Sequence, residues 1–168
     1  TKGPDAYMLT ALKASVDDMF SVSEEAIARA VAVLTEHGKL VAEGAGALAV
    51  AAICENLIPE KNITAILSGG NIDIPALSLV LQRGLVEQGR LVRLIITIVD
   101  RPGGLNALTK VLAESGANIS QIYHQRATLH TQVGEAEVEA NIETRGTKHT
   151  EEIIKLLQTN GFKVQRAS

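Results

Sequence analysis

The stretch LVRLIITIVDRPGG (residues 91–104) decides how the second half of this chain folds. Its first nine residues are rich in β-branched side chains and predict a strand, and DRPGG (residues 100–104) predicts a tight turn after it. The apolar residues that follow recur on one helical face, and Gly116 ends that helix. They are Leu105, Leu108, Val111 and Leu112. The order is therefore strand, turn, amphipathic helix.

The remaining residues of this half predict two strands, a helix and a last strand. Residues 118 to about Leu129 return as a strand, and residues 131–134, from Thr131 on, form a hairpin connection. Residues 135–143 alternate apolar side chains with glutamates and an asparagine, as in an antiparallel strand with one buried face. A helix then ends near Gly161, and residues 162–165 form the last strand. This βαββαβ order predicts an α+β ferredoxin-like sandwich over residues 91–168.

The first half instead alternates predicted helices with short strands. Residues 1–5 are expected to form a loop, and residues 84–90 a polar linker to the second half. The predicted helices are one short helix spanning Tyr7 to Val16, Glu24 to His37 capped by Ser23, a small-residue helix ending near Glu55, and Pro75 to Arg83. The predicted strands are residues 19–22, 39–42 and 62–67. Such alternation is typical of a parallel α/β sheet, but these strands are too few and short for a complete domain. We therefore expect residues 1–83 to be an α/β fragment of a larger domain.

The break ILSGGN (residues 66–71) is the main candidate for a ligand-binding loop in the first half. Its two glycines allow a flat or anionic group to approach the backbone closely at the end of a buried strand. An ordinary turn explains the same residues, so this pattern alone leaves both interpretations open.

Composition excludes several classes of function. The net charge is −3 and the basic residues are scattered, which disfavours nucleic acid and anionic membranes as partners. Only Tyr123 and Phe162 are aromatic in the second half, too few for a sheet that stacks RNA bases. Cys54 is the single cysteine, so no internal disulfide is possible. The histidines of the second half, His124, His130 and His149, are not spaced as ligands on one element, so no metal site is predicted. Neither a membrane span nor a secretory signal is expected, so we predict a cytoplasmic location.

The second half resembles the ACT domain, a small amino-acid-sensing module with this βαββαβ order. The resemblance rests on DRPGGL (residues 100–105), the helix after it, and GANI (residues 116–119). It implies that the domain pairs with another copy and binds an amino-acid effector at the interface. The effector would lie near Pro102, Gly103, Gly104 and Leu105, with Asn118 and Ile119 facing it. Capping and turn chemistry explain the same glycines without a ligand.

The first half resembles the end of the catalytic domain of the threonine dehydratases, fold-type II enzymes that depend on pyridoxal phosphate. The matching motifs are VDD (residues 16–18), VSEE (22–25), EGAGA (43–47) and SGGN (68–71). The resemblance implies elimination of water from L-threonine or serine, with 2-oxobutanoate and ammonia formed from threonine. It further implies allosteric regulation, a role in isoleucine biosynthesis, and a homodimer or larger homo-oligomer.

Three residues are implied as cofactor contacts by this resemblance. The Ser68 hydroxyl would bond the pyridine nitrogen of pyridoxal phosphate, next to Gly69, and Glu43 would lie near the ring. Glu43 would equally serve the dipole of the helix that it precedes. None of the eight lysines lies in the Ser-x-Lys-x-Arg-Gly setting of the Schiff-base lysine, and the family's phosphate loop is absent.

We therefore expect no catalytic residue in this chain, no cofactor bound by it alone, and no activity without an N-terminal catalytic portion. The alternative interpretation is a non-catalytic module that binds an amino acid or only dimerises.

Overall fold

The computed structural model describes residues 6–126 and 132–167, and the chain divides into two compact units, residues 1–71 and 72–168. The expectations for residues 1–5, for the strand end at Leu129, for His130 and for the hairpin start at Thr131 lie outside the described residues.

Three helices and two short helical turns make up the first unit from residue 6 onward. The helices are α1 (Ala6–Ser15), α2 (Glu24–Val33) and α3 (Leu48–Cys54), and a π-helical turn (Leu34–Gly38) and a 3-10 turn (Ala45–Ala47) accompany them. Ser23 caps α2 as predicted, since its Oγ accepts a hydrogen bond from the Ala26 N–H at 3.1 Å. The contact of α2 with α3 and the 3-10 turn is lined by small side chains, which allow a close approach. The fully buried ones are Ala26, Ala30, Val31, Ala47 and Ala51.

The prediction of three strands in this unit is wrong: its described residues form no strand. Residues 19–22, 39–42 and 62–67 form no ladder, although α-helices follow them in the predicted order. A strand is stabilised by the hydrogen bonds of a neighbour, and these segments do not pair with one another. Several of their apolar side chains remain in solvent, with Phe20 50%, Val41 53% and Ile66 77% exposed.

The second unit contains the predicted βαββαβ order, which is confirmed. Its elements are β1 (Leu91–Val99), α5 (Gly104–Glu114), β2 (Asn118–Gln125), β3 (Glu135–Glu143), α6 (Thr147–Thr159) and β4 (Lys163–Arg166). The strands form one antiparallel sheet in the order β2-β3-β1-β4, so the first and third strands lie at its centre. Ile96 stands opposite Val138 in the central pair, and both are fully buried.

The alternation of β1 and β3 divides the sheet into two faces. Their buried residues pack against α5 and α6 around Leu108, Leu112 and Leu157, which have no exposed surface. The opposite face carries the glutamates of β3, and two of them are paired with cations: Arg93 with Glu139 at 3.2 Å and Lys163 with Glu135 at 2.9 Å. One face is therefore core and the other is polar, as the sequence pattern predicts.

One further helix precedes the sheet in this unit. Helix α4 (Ile74–Glu87) is capped by Asp73, whose Oδ1 accepts from the Ala76 N–H at 2.7 Å. It runs four residues beyond the predicted end and includes residues 84–87, which the sequence analysis assigns to a linker. Gly84 is buried there, so its missing side chain permits close packing and does not break the helix.

The connection between α4 and β1 is short and held by hydrogen bonds. Gly89, at φ +65°, ends the helix in the left-handed conformation. Its carbonyl accepts from the Thr144 Oγ1 at 2.6 Å and from the Thr150 Oγ1 at 3.1 Å. The Thr144 N–H donates to the Arg90 carbonyl at 2.8 Å. We call these bonds the Gly89 clamp; they fix the end of α4 to the sheet and to the start of α6.

Candidate cofactor and effector sites

The loop around Ser68 lies directly against the segment at residues 41–46. The Glu43 N–H donates a hydrogen bond to the Gly69 carbonyl at 3.2 Å. A Cβ atom built on Gly69 would overlap Glu43 Oε1, so the side chain of Glu43 lies over the loop backbone. The structure thus brings Glu43 and Gly69 together in the first unit, with Ser68 next to them in the chain.

The side chains at this place are free to meet a ligand. The Ser68 hydroxyl is exposed and makes no hydrogen bond with any residue that the structure describes. The Glu43 carboxylate is half-buried and has no hydrogen-bond or ion-pair partner within the same residues. A neutral hydroxyl, a carboxylate and a close-packed glycine backbone are groups that suit one edge of an aromatic cofactor ring, and their contact with a cofactor stays a prediction.

The loop after β1 borders a cavity of about 640 Å³ in the second unit. Pro102, Gly103 and Gly104 line it, but Leu105 does not, because its side chain packs against the core. Gly103, at φ +91°, is the N-cap residue of α5 and has no side chain to cap the helix. The backbone N–H groups of the first turn therefore receive no side-chain acceptor from the N-cap position. A Cβ on Gly104 would overlap the Val99 carbonyl, and this position therefore requires glycine.

Three charged side chains that the sequence analysis did not select also line this cavity. They are Arg101, Glu135 and Lys163. The hydrogen bond from Lys163, at 2.9 Å, lowers the pKa of Glu135 below its ordinary value of 4.5. Arg101 makes no ion pair with the described residues. Arg101 lies in the turn at residues 100–104, but its proximity to Glu135 and Lys163 follows from the order of the strands in the sheet, which the turn motif does not contain.

Asn118 and Ile119 lie away from this cavity. The Asn118 Nδ2 donates to Glu143 Oε2 at 2.9 Å, and Ile119 packs against the core. They stand at the start of β2, at the opposite end of α5 from the turn, which is about 16 Å for an 11-residue helix. Within one chain these two residues and Gly103 therefore do not share a site.

The described residues contain no group of three or more histidine, cysteine, aspartate or glutamate side chains placed to hold a metal ion. Nor does any helix among residues 6–126 and 132–167 have the length and apolar character needed to cross a membrane.

Comparison with known proteins agrees with these observations. The model of the ACT domain family matches residues 92–159. Over 165 residues the chain is 39% identical to an L-threonine ammonia-lyase of Thermotoga maritima, covering 98% of this chain and 41% of the relative. An L-threonine ammonia-lyase of Geobacter sulfurreducens is also 39% identical over 165 residues, covering 97% of this chain and 41% of its own length.

A prephenate dehydratase structure from Staphylococcus aureus aligns with 46% of this chain and 29% of its own, at 26% identity and a TM-score of 0.39, too low to add to the assignment. The chain spans 41% of the length of the two ammonia-lyases. Residues 92–159 are an ACT domain, in a chain that is similar over nearly its whole length to the C-terminal portion of L-threonine ammonia-lyases.

Proposed function

We propose that this chain is the C-terminal, regulatory portion of a threonine (serine) dehydratase that depends on pyridoxal phosphate. The reaction is elimination of water from L-threonine, which yields 2-oxobutanoate and ammonia. The observation that carries the proposal is the 39% identity with two L-threonine ammonia-lyases over 165 residues, which includes residues on both sides of the ACT domain boundary. The wider expectations of isoleucine biosynthesis, allosteric control and a cytoplasmic location follow from the same proposal.

The proposed chemistry of the first unit rests on the Ser68 hydroxyl. Pyridoxal phosphate, when bound, draws electrons away from the α-carbon of the amino-acid substrate. When the cofactor is bound, the Ser68 hydroxyl would bond the ring nitrogen without placing a full positive charge on it, whereas a carboxylate there would hold the nitrogen protonated. Glu43 would be the carboxylate near the ring, and Gly69 would let the backbone approach it. A milder electron demand suits loss of the α-proton together with departure of the β-hydroxyl.

The rest of the catalytic site has to come from an N-terminal portion. No lysine here stands in the family's Schiff-base setting. We therefore propose that this chain by itself binds no cofactor and is inactive. The exposed apolar residues at 19–20, 40–41 and 66–67 support a packing surface for that portion.

We further propose that the cavity beside Pro102, Gly103 and Gly104 binds the amino-acid effector. The open helix start and the Arg101 guanidinium would hold its carboxylate. Asn118 and Ile119 of a second copy would face it when two ACT domains pair. The outer edge of β2 supports such pairing, because this strand hydrogen-bonds to β3 on one side only.

The enzyme proposal is tested on the full-length protein. We expect cofactor absorbance, and 2-oxo acid formation from threonine or serine, from the complete chain but not from these 168 residues. Ser68→Ala should lower the rate, while the control Ser78→Ala, an exposed serine on α4 without a described partner, should not. A full-length protein without cofactor absorbance or product would leave only the non-catalytic module.

The effector proposal is tested on this chain by calorimetry with hydrophobic and hydroxy amino acids. We expect heat from at least one of them, and loss of that heat in Arg101→Gln. The control Arg83→Gln removes a guanidinium of α4 that likewise makes no ion pair with the described residues, and this variant should bind normally. Absence of heat from every amino acid, with the dimer in sedimentation unchanged, would leave dimerisation as the role of the domain.

A further inference from the structure

We infer that Gly46 and Gly70 are positioning residues for the Ser68 hydroxyl, because they allow residues 41–46 and 69–70 to pack backbone against backbone. We call this packing the glycine contact. The inference rests on the proposed function, since it concerns the loop that would bond the ring nitrogen of the cofactor.

Gly46 has no room for a side chain. It is buried in the 3-10 turn, and a Cβ built on it would overlap the Gly69 carbonyl oxygen and lie 3.0 Å from the Gly69 N and carbonyl carbon. All of these are backbone atoms, which cannot rotate away as a flexible side chain would. A methyl group at this position must therefore push the loop itself.

Gly70, which follows Gly69 in the loop, has the same constraint. A Cβ there would lie 2.8 Å from the Val41 carbonyl oxygen. Neither glycine has a positive φ, so a residue with a side chain can adopt either backbone conformation. Lack of space alone accounts for glycine at both positions.

The glycine contact is what places Ser68. The Ser68 hydroxyl makes no hydrogen bond with the described residues, so no side-chain partner fixes it. Its neighbour Gly69 is held by the Glu43 N–H at 3.2 Å, on the same surface that Gly46 forms. The position of the hydroxyl relative to a bound ring then depends on how closely Gly46 and Gly70 let the loop approach.

The two substitutions should act in graded fashion. Restoring an ordinary contact distance after Gly46→Ala needs a shift of the Gly69 carbonyl on the order of 1 Å. Misplacement of this size costs on the order of 10²-fold in rate when the displaced group assists the reaction. Gly70→Ala requires only a few tenths of an ångström at about the same loop position, so its effect on the rate should be smaller.

The test compares Gly46→Ala, Gly70→Ala, Ser68→Ala and the double variant Gly46→Ala/Ser68→Ala in the full-length enzyme. Gly44→Ala is the matched control, because its Cβ would meet only Ile27 Cγ2 at an ordinary 3.4 Å. The readouts are kcat and the absorption spectrum of the bound cofactor as a function of pH.

We expect Gly46→Ala to reproduce the spectral and pH changes of Ser68→Ala, and the double variant to be slower than the slower single variant by no more than about twofold. Gly44→Ala should match the wild type. Multiplied losses in the double variant, or a wild-type spectrum in Gly46→Ala, would overturn the inference.

Folding is checked by circular dichroism. If Gly46→Ala does not fold, the spectrum of Gly70→Ala decides: a shift in the direction of Ser68→Ala supports the inference, and an unchanged spectrum overturns it. A wild-type enzyme that binds no cofactor and forms no 2-oxo acid is a different result, because it refutes the proposed function.

Discussion

Replacing His149 by leucine should destabilise the ACT domain by about 1 to 3 kcal/mol, the loss of two hydrogen bonds at about 0.5 to 1.5 kcal/mol each. His149 is only 6% exposed at the start of α6. The Arg145 N–H donates to its Nδ1 at 3.1 Å, so the ring proton lies on Nε2 and is donated to the Ser115 carbonyl at 2.8 Å. The imidazole thus joins the end of α5 to the turn before α6. Leucine fills the space but makes neither bond.

Hydrogen exchange of the β1 amides measures this loss in the two-unit chain, since β1 lies at the centre of the sheet and opens only when the ACT domain unfolds. His149→Gln keeps a donor for Ser115 and should lose about 0.5 to 1.5 kcal/mol. The control Lys148→Leu, exposed on the same turn, should stay within about 0.5 kcal/mol of the wild type. A loss for His149→Leu no larger than that of Lys148→Leu would refute the role of the two hydrogen bonds.

Three further predictions concern the same domain. Lys163→Met should raise the pKa of Glu135 towards 4.5, as measured by carbon NMR titration, and an unchanged titration of Glu135 would contradict the assignment. Because the pKa of Glu135 is lower in the folded protein than in the unfolded chain, the carboxylate stabilises the wild type above the unfolded pKa, and this contribution should be lost as the pH falls through the folded pKa. Gly89→Ala should lower the thermal unfolding temperature clearly more than Gly161→Ala. Both glycines have a positive φ, but only the Cβ at Gly89 would meet another residue, Thr147 at 2.6 Å, while Gly161 faces open space. Equal decreases would mean that backbone strain alone matters. Leu112→Ala should cost about 2 to 5 kcal/mol through the cavity that it leaves, and a loss below 1 kcal/mol in urea unfolding would place Leu112 outside the tightly packed core.

The central strands were predicted to the residue, and the reason is physical. In β3 the alternation of apolar and polar side chains indicates a strand with one buried face, and in β1 the run of β-branched side chains that ends at a turn indicates the bounds of the strand. Residues 19–22, 39–42 and 62–67 have similar composition but no pattern that specifies a partner. Apolar character indicates that a segment prefers burial, and it does not indicate which neighbour provides it.

In the candidate sites, too, local features could be predicted from the sequence, whereas contacts between distant segments could not. Ser68 and Gly103 could be selected from local turn chemistry, because glycine and hydroxyl residues act on their own backbone. His149 looked like an isolated histidine, since its Ser115 partner lies 34 residues earlier. The close approach of Gly46 to Gly69 could not be predicted either, because it depends on how two segments that are distant in the sequence pack together.

The Gly89 clamp determines where the ACT domain can be cut from this chain for fusion to another protein. A fragment starting at Leu91 would lack the carbonyl that receives both threonine hydroxyls, and Thr150, only 2% exposed, would lose one of its two polar contacts. Starting at residue 72 retains α4, its Asp73 cap and the clamp. The unit that can be moved intact is then residues 72–168, and a fusion partner should be joined ahead of α4, immediately after the loop that ends at Asn71.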